Sequence, residues 1–302
     1  MSESFTTLSP RARRPDLLLA AGLFLLTAIV FWPAARWLAS ETFAREQLKQ
    51  SFYVVVFAGL WIAWEKRRNL RIDLHFSNRT LGWLFASYAL AAGALVFKTP
   101  LLFLGGMVAA LGGMINYVFG GQAFRRTLPL LVVFGLLILC VLLFPVLDWP
   151  LRQMAGVEAA RFLKFLGLAS HLAVAPRPEV KLLLLTGNQT FLVATECNGF
   201  GLITSAFLLG MIRLLYRRVA LRWFLVLLPL CAGVAFVFNF LRISVIVLLA
   251  PYFPAHYTLL HETAGLVALY SGLGLVWLLT GWHRLTAPSP SLERARAVPK
   301  AA

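Results

Sequence analysis

Long apolar runs separated by short basic clusters set the pattern of this chain. A run of roughly 20 apolar residues spans a bilayer as a helix, with tilt accommodating some variation in length. On that measure the chain predicts about eight spans. They cover Leu17–Leu38, Ser51–Trp64, Leu81–Phe97, Leu101–Phe119, Leu128–Val146, Phe200–Leu215, Trp223–Phe240 and Thr263–Trp282. Lys98, Thr99 and Pro100 make a tight turn between the third and fourth, and Arg125-Arg126 mark a loop after the fourth. Gly105, Gly106, Gly112 and Gly113 give the fourth span a surface that neighbouring helices can approach closely. Ile243–Pro254 is apolar but short for a span, and reads as a re-entrant or interfacial piece.

One interval departs from this pattern. Between Asp148 and Phe191 the residues Arg152, Glu158, Arg161, Lys164, Arg177, Glu179 and Lys181 punctuate an otherwise apolar sequence. Leu151–Leu168 has apolar residues at near-helical spacing, which predicts an amphipathic helix on the membrane surface. Pro176 and Pro178 break that pattern. Val180–Leu185 and Thr190–Val193, separated by Gly187 and Asn188, predict a small β-hairpin. The expected architecture is an all-α integral membrane protein. It is a single multi-pass bundle over residues 1–302, with a small extracytoplasmic segment at 148–193 and a basic cytoplasmic tail at 283–302.

Composition supports the membrane assignment. The 302 residues are 60% hydrophobic and only 13% charged, against about a quarter charged in soluble domains. Mean hydropathy is +0.79. The net charge of +16 does not form one basic stripe of the kind that binds nucleic acid. It is divided into clusters at Arg11–Arg14, Lys66–Arg71 and Arg213–Arg222, as in cytoplasmic loops facing anionic lipid headgroups. Membrane lipid is therefore an expected partner and nucleic acid is not. Most of the 28 Lys and Arg residues fall on the side shared by the termini, which makes that side cytoplasmic. The expected location is the inner (plasma) membrane. Arg11–Arg14 before Leu17–Phe31 resembles a signal peptide, but apolar character continues through Trp32, Trp37 and Leu38, so an uncleaved first helix is expected.

The candidate chemistry lies in three residues. Cys140 and Cys231 sit within apolar runs and read as small packing hydrophobes. The cysteine spacing matches no zinc site, and neither a metal nor a cofactor is expected. Cys197 differs, because it stands in the polar box Thr195–Gly201 at the start of a span. Unpaired backbone N–H groups and partial positive charge there favour a thiolate. Gly199 and Gly201 leave amides that could stabilise an oxyanion, and Glu196 is expected to point outward. Arg242 lies among apolar residues, where a charge is costly. It either snorkels to headgroups or serves as a fixed cation for a substrate or oxyanion. His261 is either a water-exposed helix-start residue or a general acid/base. His256 is the competing base, His171 reads as structural, and His75 and His283 fall on the cytoplasmic side. Asn198 and Asn239 can hydrogen-bond within the site. The inferred topology puts Cys197, Arg242 and His261 on one extracytoplasmic face.

Three motifs then fall in order: Cys197-Asn198-Gly199, Asn239-Phe240-Leu241-Arg242, and His261 with Gly265 four residues on. In order and separation they resemble the exosortase/archaeosortase family over about Leu81 to Trp282. The resemblance implies a membrane cysteine transpeptidase with Cys197, Arg242 and His261 as catalytic residues. It also implies substrates that are exported proteins with a C-terminal sorting signal, made of a short motif, a hydrophobic helix and a basic tail. The processed protein would pass to an acceptor in the cell envelope. The commoner family box is Ala-Cys-Ser-Gly, so Glu196-Cys197-Asn198-Gly199 changes the expected subfamily and not the reaction class. A permease using Arg242 to bind an anionic solute is the competing function, although no repeat pair of the transporter kind is evident. A scaffold for polysaccharide export is a further alternative.

Overall fold

The computed structural model describes residues 14–66, 74, 76–175, 181–187 and 189–281. The basic residues Arg11–Arg13 and 67–71, His75, Pro176, Pro178, Asn188, His283 and the tail at 283–302 lie outside them. The chain is mostly helical. Its elements in order are α1 (Arg14–Phe43), α2 (Glu46–Lys66), α3 (Asn78–Phe97), α4 (Pro100–Phe165), β1 (Ser170–Ala175), β2 (Lys181–Thr186), β3 (Gln189–Leu192), α5 (Phe200–Tyr216), α6 (Leu221–Leu249) and α7 (Tyr257–Thr280).

Among the described residues, five helices are long and apolar enough to cross a membrane: Leu18–Phe43, Asn78–Phe97, Pro100–Phe165, Leu221–Leu249 and Pro254–Thr280. The expected count of about eight spans is not reproduced as eight separate crossings. The expected sixth span is the 17-residue helix α5. The expected second span lies within the 21-residue α2, which begins ahead of it at Glu46.

α4 holds the largest departure. A straight helix of 66 residues would be roughly 100 Å long at 1.5 Å per residue, far more than a bilayer requires. It is broken at Gly120, with φ 73° and ψ 173°, a conformation that a residue without Cβ adopts at little cost. The chain folds back there, since a Cβ on Gly112 would meet Phe124 at 3.4 Å and Leu131 at 3.5 Å. Two expected spans thus lie on either side of one glycine, and Arg125-Arg126 is helical instead of forming a loop. The second part of α4 then runs unbroken through Asp148 to Phe165, so the expected surface helix is a continuation of it. Its stripe Ala155, Ala159 and Leu163 is fully buried against Leu182 and Leu184 of β2. That i, i+4, i+8 stripe is covered by protein and does not lie on lipid. Gly167, at φ +88°, ends the helix by the left-handed turn that favours glycine.

The sheet is antiparallel with order β1-β2-β3. The expected hairpin is present as β2 and β3, with β1 added on its outer edge. β1 pairs Leu172 with Leu184, and β3 pairs Phe191 with the same residue. Ile243–Leu249 belongs to the single 29-residue helix α6 and is not a separate re-entrant piece, because no glycine or proline interrupts the run there. α7 begins at Tyr257, which places His261 one turn inside the helix.

The chain forms two compact units. One contains the described residues up to Ala44 together with Val56–Val141. Within it α3 and α4 approach closely, since a Cβ on Gly106 would stand 2.8 Å from the Ser87 carbonyl oxygen. The buried Asn116 donates to Ser77 Oγ at 3.1 Å and Thr80 Oγ1 at 2.8 Å. The other unit contains Arg45–Val55 and the described residues from Leu142 onward. There α5, α6 and α7 share a core of Leu202, Ala206, Cys231, Ala235 and Val276.

Gly106→Val should therefore destabilise the protein by about 1–3 kcal/mol, the usual cost of overpacking, and lower its melting temperature in detergent. Gly105→Ala, with nothing within 4 Å of the added carbon, should leave the melting temperature unchanged or slightly raised. Equal melting of both variants would contradict the close α3–α4 approach.

Candidate active site

The cysteine box folds as a tight turn over Thr195–Cys197 ahead of α5. The Cys197 N–H donates to Ala194 O at 2.9 Å, and the Asn198 N–H to Thr195 O at 3.3 Å. Asn198 is fully buried. Its Oδ1 accepts the Phe200 N–H at 2.7 Å, taking one of the N–H groups left over at a helix start. Its Nδ2 donates to Asp148 Oδ1 at 2.6 Å, and Asp148 also pairs with Arg152 one turn along α4. A carboxylate on α4 thus anchors the residue next to Cys197. The amides of Cys197, Asn198 and Phe200 are committed to the box itself.

Gly199 and Gly201 have packing roles. Gly199 adopts φ +72°, and a Cβ there would stand 2.5 Å from Cγ and Nδ2 of Asn239. Asn239, 1% exposed, uses that space to donate from Nδ2 to Cys197 O at 3.0 Å. A Cβ on Gly201 would stand 2.8 Å from Gln47 Cα, so α2 lies directly against the start of α5. From α2, Gln47 Nε2 donates to Thr195 O at 3.0 Å and Ser51 Oγ to Gly201 O at 3.3 Å. The box is thereby held from α2, α4 and α6. Gln47, Ser51 and Asp148 were not visible as site residues in the sequence, because each acts across a long stretch of chain and belongs to no local motif.

Arg242 follows Asn239 by three residues, which places both on one face of α6. Its guanidinium lies over Gly265 of α7, where a Cβ would approach Cζ to 3.3 Å. His261 precedes Gly265 by one turn. Its Nε2 is 3.3 Å from Arg242 Nη2 and 3.8 Å from Cys197 Sγ. A guanidinium only donates, so this contact requires Nε2 to accept and leaves the imidazole proton on Nδ1. One ring nitrogen therefore faces both the thiol and the cation. Cys197 is 8% exposed, and the ring of Tyr257 lies 6.3 Å from that of His261.

A cavity of about 470 Å³ adjoins these residues, with Gln47 and Gln50 of α2, Asn239 and Arg242 of α6, and His261 and Gly265 of α7 in its wall. His256 sits in the exposed turn Pro254–His256 before α7 and is not among the cavity residues. His171 is exposed on β1. Among the described residues, no group of three or more His, Cys, Asp or Glu could hold a metal ion.

The fold defines a multi-pass helical membrane protein. The family model for transmembrane exosortases (Exosortase_EpsH) matches residues 43–278, and the chain belongs to that family. Membership carries a membrane transpeptidase-like role in broad terms. No curated protein and no solved structure matches the chain.

Gly199→Ala introduces a carbon where Asn239 stands and strains a left-handed backbone. The variant should insert into membranes normally but alkylate Cys197 with iodoacetamide at least about tenfold more slowly, given the 1–3 kcal/mol typical of such strain. An unchanged alkylation rate would show that the box does not depend on this packing.

Proposed function

We propose that the chain is a cysteine transpeptidase that cleaves the C-terminal sorting signals of exported proteins. The observation that carries this reading is the shared position of His261 Nε2, 3.8 Å from the Cys197 thiol and 3.3 Å from the Arg242 guanidinium. In the first step the Arg242 N–H leaves Nε2, the thiol proton passes to that nitrogen, and the sulfur attacks the scissile carbonyl carbon. Arg242 stabilises the negative charge that develops on sulfur and then on oxygen. When the tetrahedral centre collapses, His261 gives its proton to the leaving amine and a thioester remains on Cys197. An acceptor nucleophile then attacks the thioester carbonyl carbon while His261 takes its proton, the carbon–sulfur bond breaks, and the released Cys197 thiolate recovers the proton from His261.

The substrate signal consists of a short motif, a hydrophobic helix and a basic tail, and the acceptor belongs to the cell envelope. The site opens on the extracytoplasmic face of the inner (plasma) membrane and both termini are cytoplasmic. The 148–193 segment takes part in motif recognition and the 283–302 tail lies inside. The permease alternative needs Arg242 as a lone cation for an anionic solute. The guanidinium beside an imidazole and a thiol, together with the family, favours the transpeptidase.

In cells, Cys197→Ala and Cys197→Ser should insert normally while exported proteins carrying such a tail accumulate at full length on immunoblots. His261→Ala should slow processing by roughly 10²–10⁴-fold, the usual range for a general acid/base. Normal processing in the Cys197 variants would remove the nucleophile assignment. Orientation is tested separately with a membrane-impermeant maleimide, which should label Cys197 in spheroplasts. Labelling confined to inverted vesicles would reverse the topology.

A further inference from the structure

Among the residues lining the cavity near the cysteine box, Asn239 carries a buried polar atom that the proposed reaction does not use. The residue is 1% exposed and donates from Nδ2 to Cys197 O at 3.0 Å. Because that partner is a carbonyl oxygen, which only accepts, the amide orientation is fixed with nitrogen toward Cys197. Oδ1 is left buried with no hydrogen-bond partner. The side chain is also wedged, with Cγ and Nδ2 only 2.5 Å from the position a Cβ on Gly199 would take. Buried acceptors of this kind are rare in folded proteins, and one beside a reactive thiol is a candidate to receive a donor from a ligand.

The rest of the cavity narrows the identity of that donor. Arg242 offers only N–H groups, while Glu46 and Glu262 bring carboxylates to its lining. An anionic ligand would satisfy Arg242 but place further acceptor atoms near Asn239 Oδ1 and two carboxylates. A peptide group supplies both halves, a carbonyl oxygen for the guanidinium and an N–H for Oδ1. We propose that Asn239 Oδ1 accepts the N–H of a substrate peptide group adjoining the carbonyl that Cys197 attacks. Asn239 then recognises backbone independently of side chains, and couples it to the nucleophile through its second hydrogen bond to Cys197 O. This rests on the transpeptidase reading of the same site.

The test uses two probes of nearly equal size, bromoacetyl-alaninamide and bromoacetyl-lactamide, which carries an ester oxygen in place of the first N–H. With either probe the Cys197 sulfur bonds to the methylene carbon, bromide leaves, and the thiol proton goes to His261. Rates at Cys197 are read by mass spectrometry on the full-length protein in detergent, each normalised to the rate with free cysteine. The wild type should favour the amide by about tenfold, the scale of one hydrogen bond to an otherwise unsatisfied group. Asn239→Leu should bring the ratio close to one. If the leucine variant does not melt as a folded protein, Asn239→Ala, which also lacks an acceptor, provides the same comparison. A wild-type ratio near one, or a tenfold ratio retained in a folded Asn239 variant, overturns the proposal. A Cys197 unreactive toward both probes defeats the transpeptidase reading itself, and this inference falls with it.

Discussion

A single imidazole nitrogen that must face a thiol and a guanidinium at once is the constraint on which the second unit depends. His261 Nε2 lies within 3.8 Å of Cys197 Sγ and 3.3 Å of Arg242 Nη2, yet these groups come from three different helices or their approaches. A partly buried cation among apolar helices is expensive unless its surroundings offer it acceptors. The helices must therefore approach closely enough for side chains on one to reach those on another. Glycine provides that approach at three points. Gly265 leaves room for the Arg242 guanidinium, Gly199 for the Asn239 amide and Gly201 for the backbone of α2.

The supporting layer holds the cysteine box from several sides. Asn239 and Gln47 each donate to a box carbonyl, and Asp148 accepts from Asn198. The last of these links explains the form of α4. Only because its second part runs on past the bilayer-length stretch does it bring Asp148 to the box. Further along, its apolar stripe packs under the sheet. Phe144 on the same helix meets the Phe200 ring edge-on, with centroids 4.9 Å apart. The start of α5 is therefore seated by an aromatic contact as well as by hydrogen bonds.

Much of this was legible in the sequence, for identifiable reasons. Hydropathy located the apolar runs because lipid-facing helices must be apolar around most of their surface. The family resemblance linked Asn239 to Arg242 and His261 to Gly265, and in the structure each pair lies three or four residues apart on one helix and shares a face. The Gly120 reversal escaped because one left-handed residue turns the chain without a polar loop to mark it. Arg125-Arg126 then misled, as paired charges usually signal a loop. β1 was hidden because SHLAVA is too short for a clear alternation. The Asp148–Asn198 and Gln47–Thr195 bonds join residues far apart in the chain, and no local spacing encodes them.

Trapping the acyl intermediate is the most direct test of the account. A purified substrate domain with its C-terminal signal is incubated with the enzyme, quenched in acid and digested for mass spectrometry. The account predicts the upstream substrate fragment attached to the peptide containing Cys197 through a bond that hydroxylamine cleaves. An adduct on another residue, or full-rate cleavage after Cys197 has been alkylated, would contradict it.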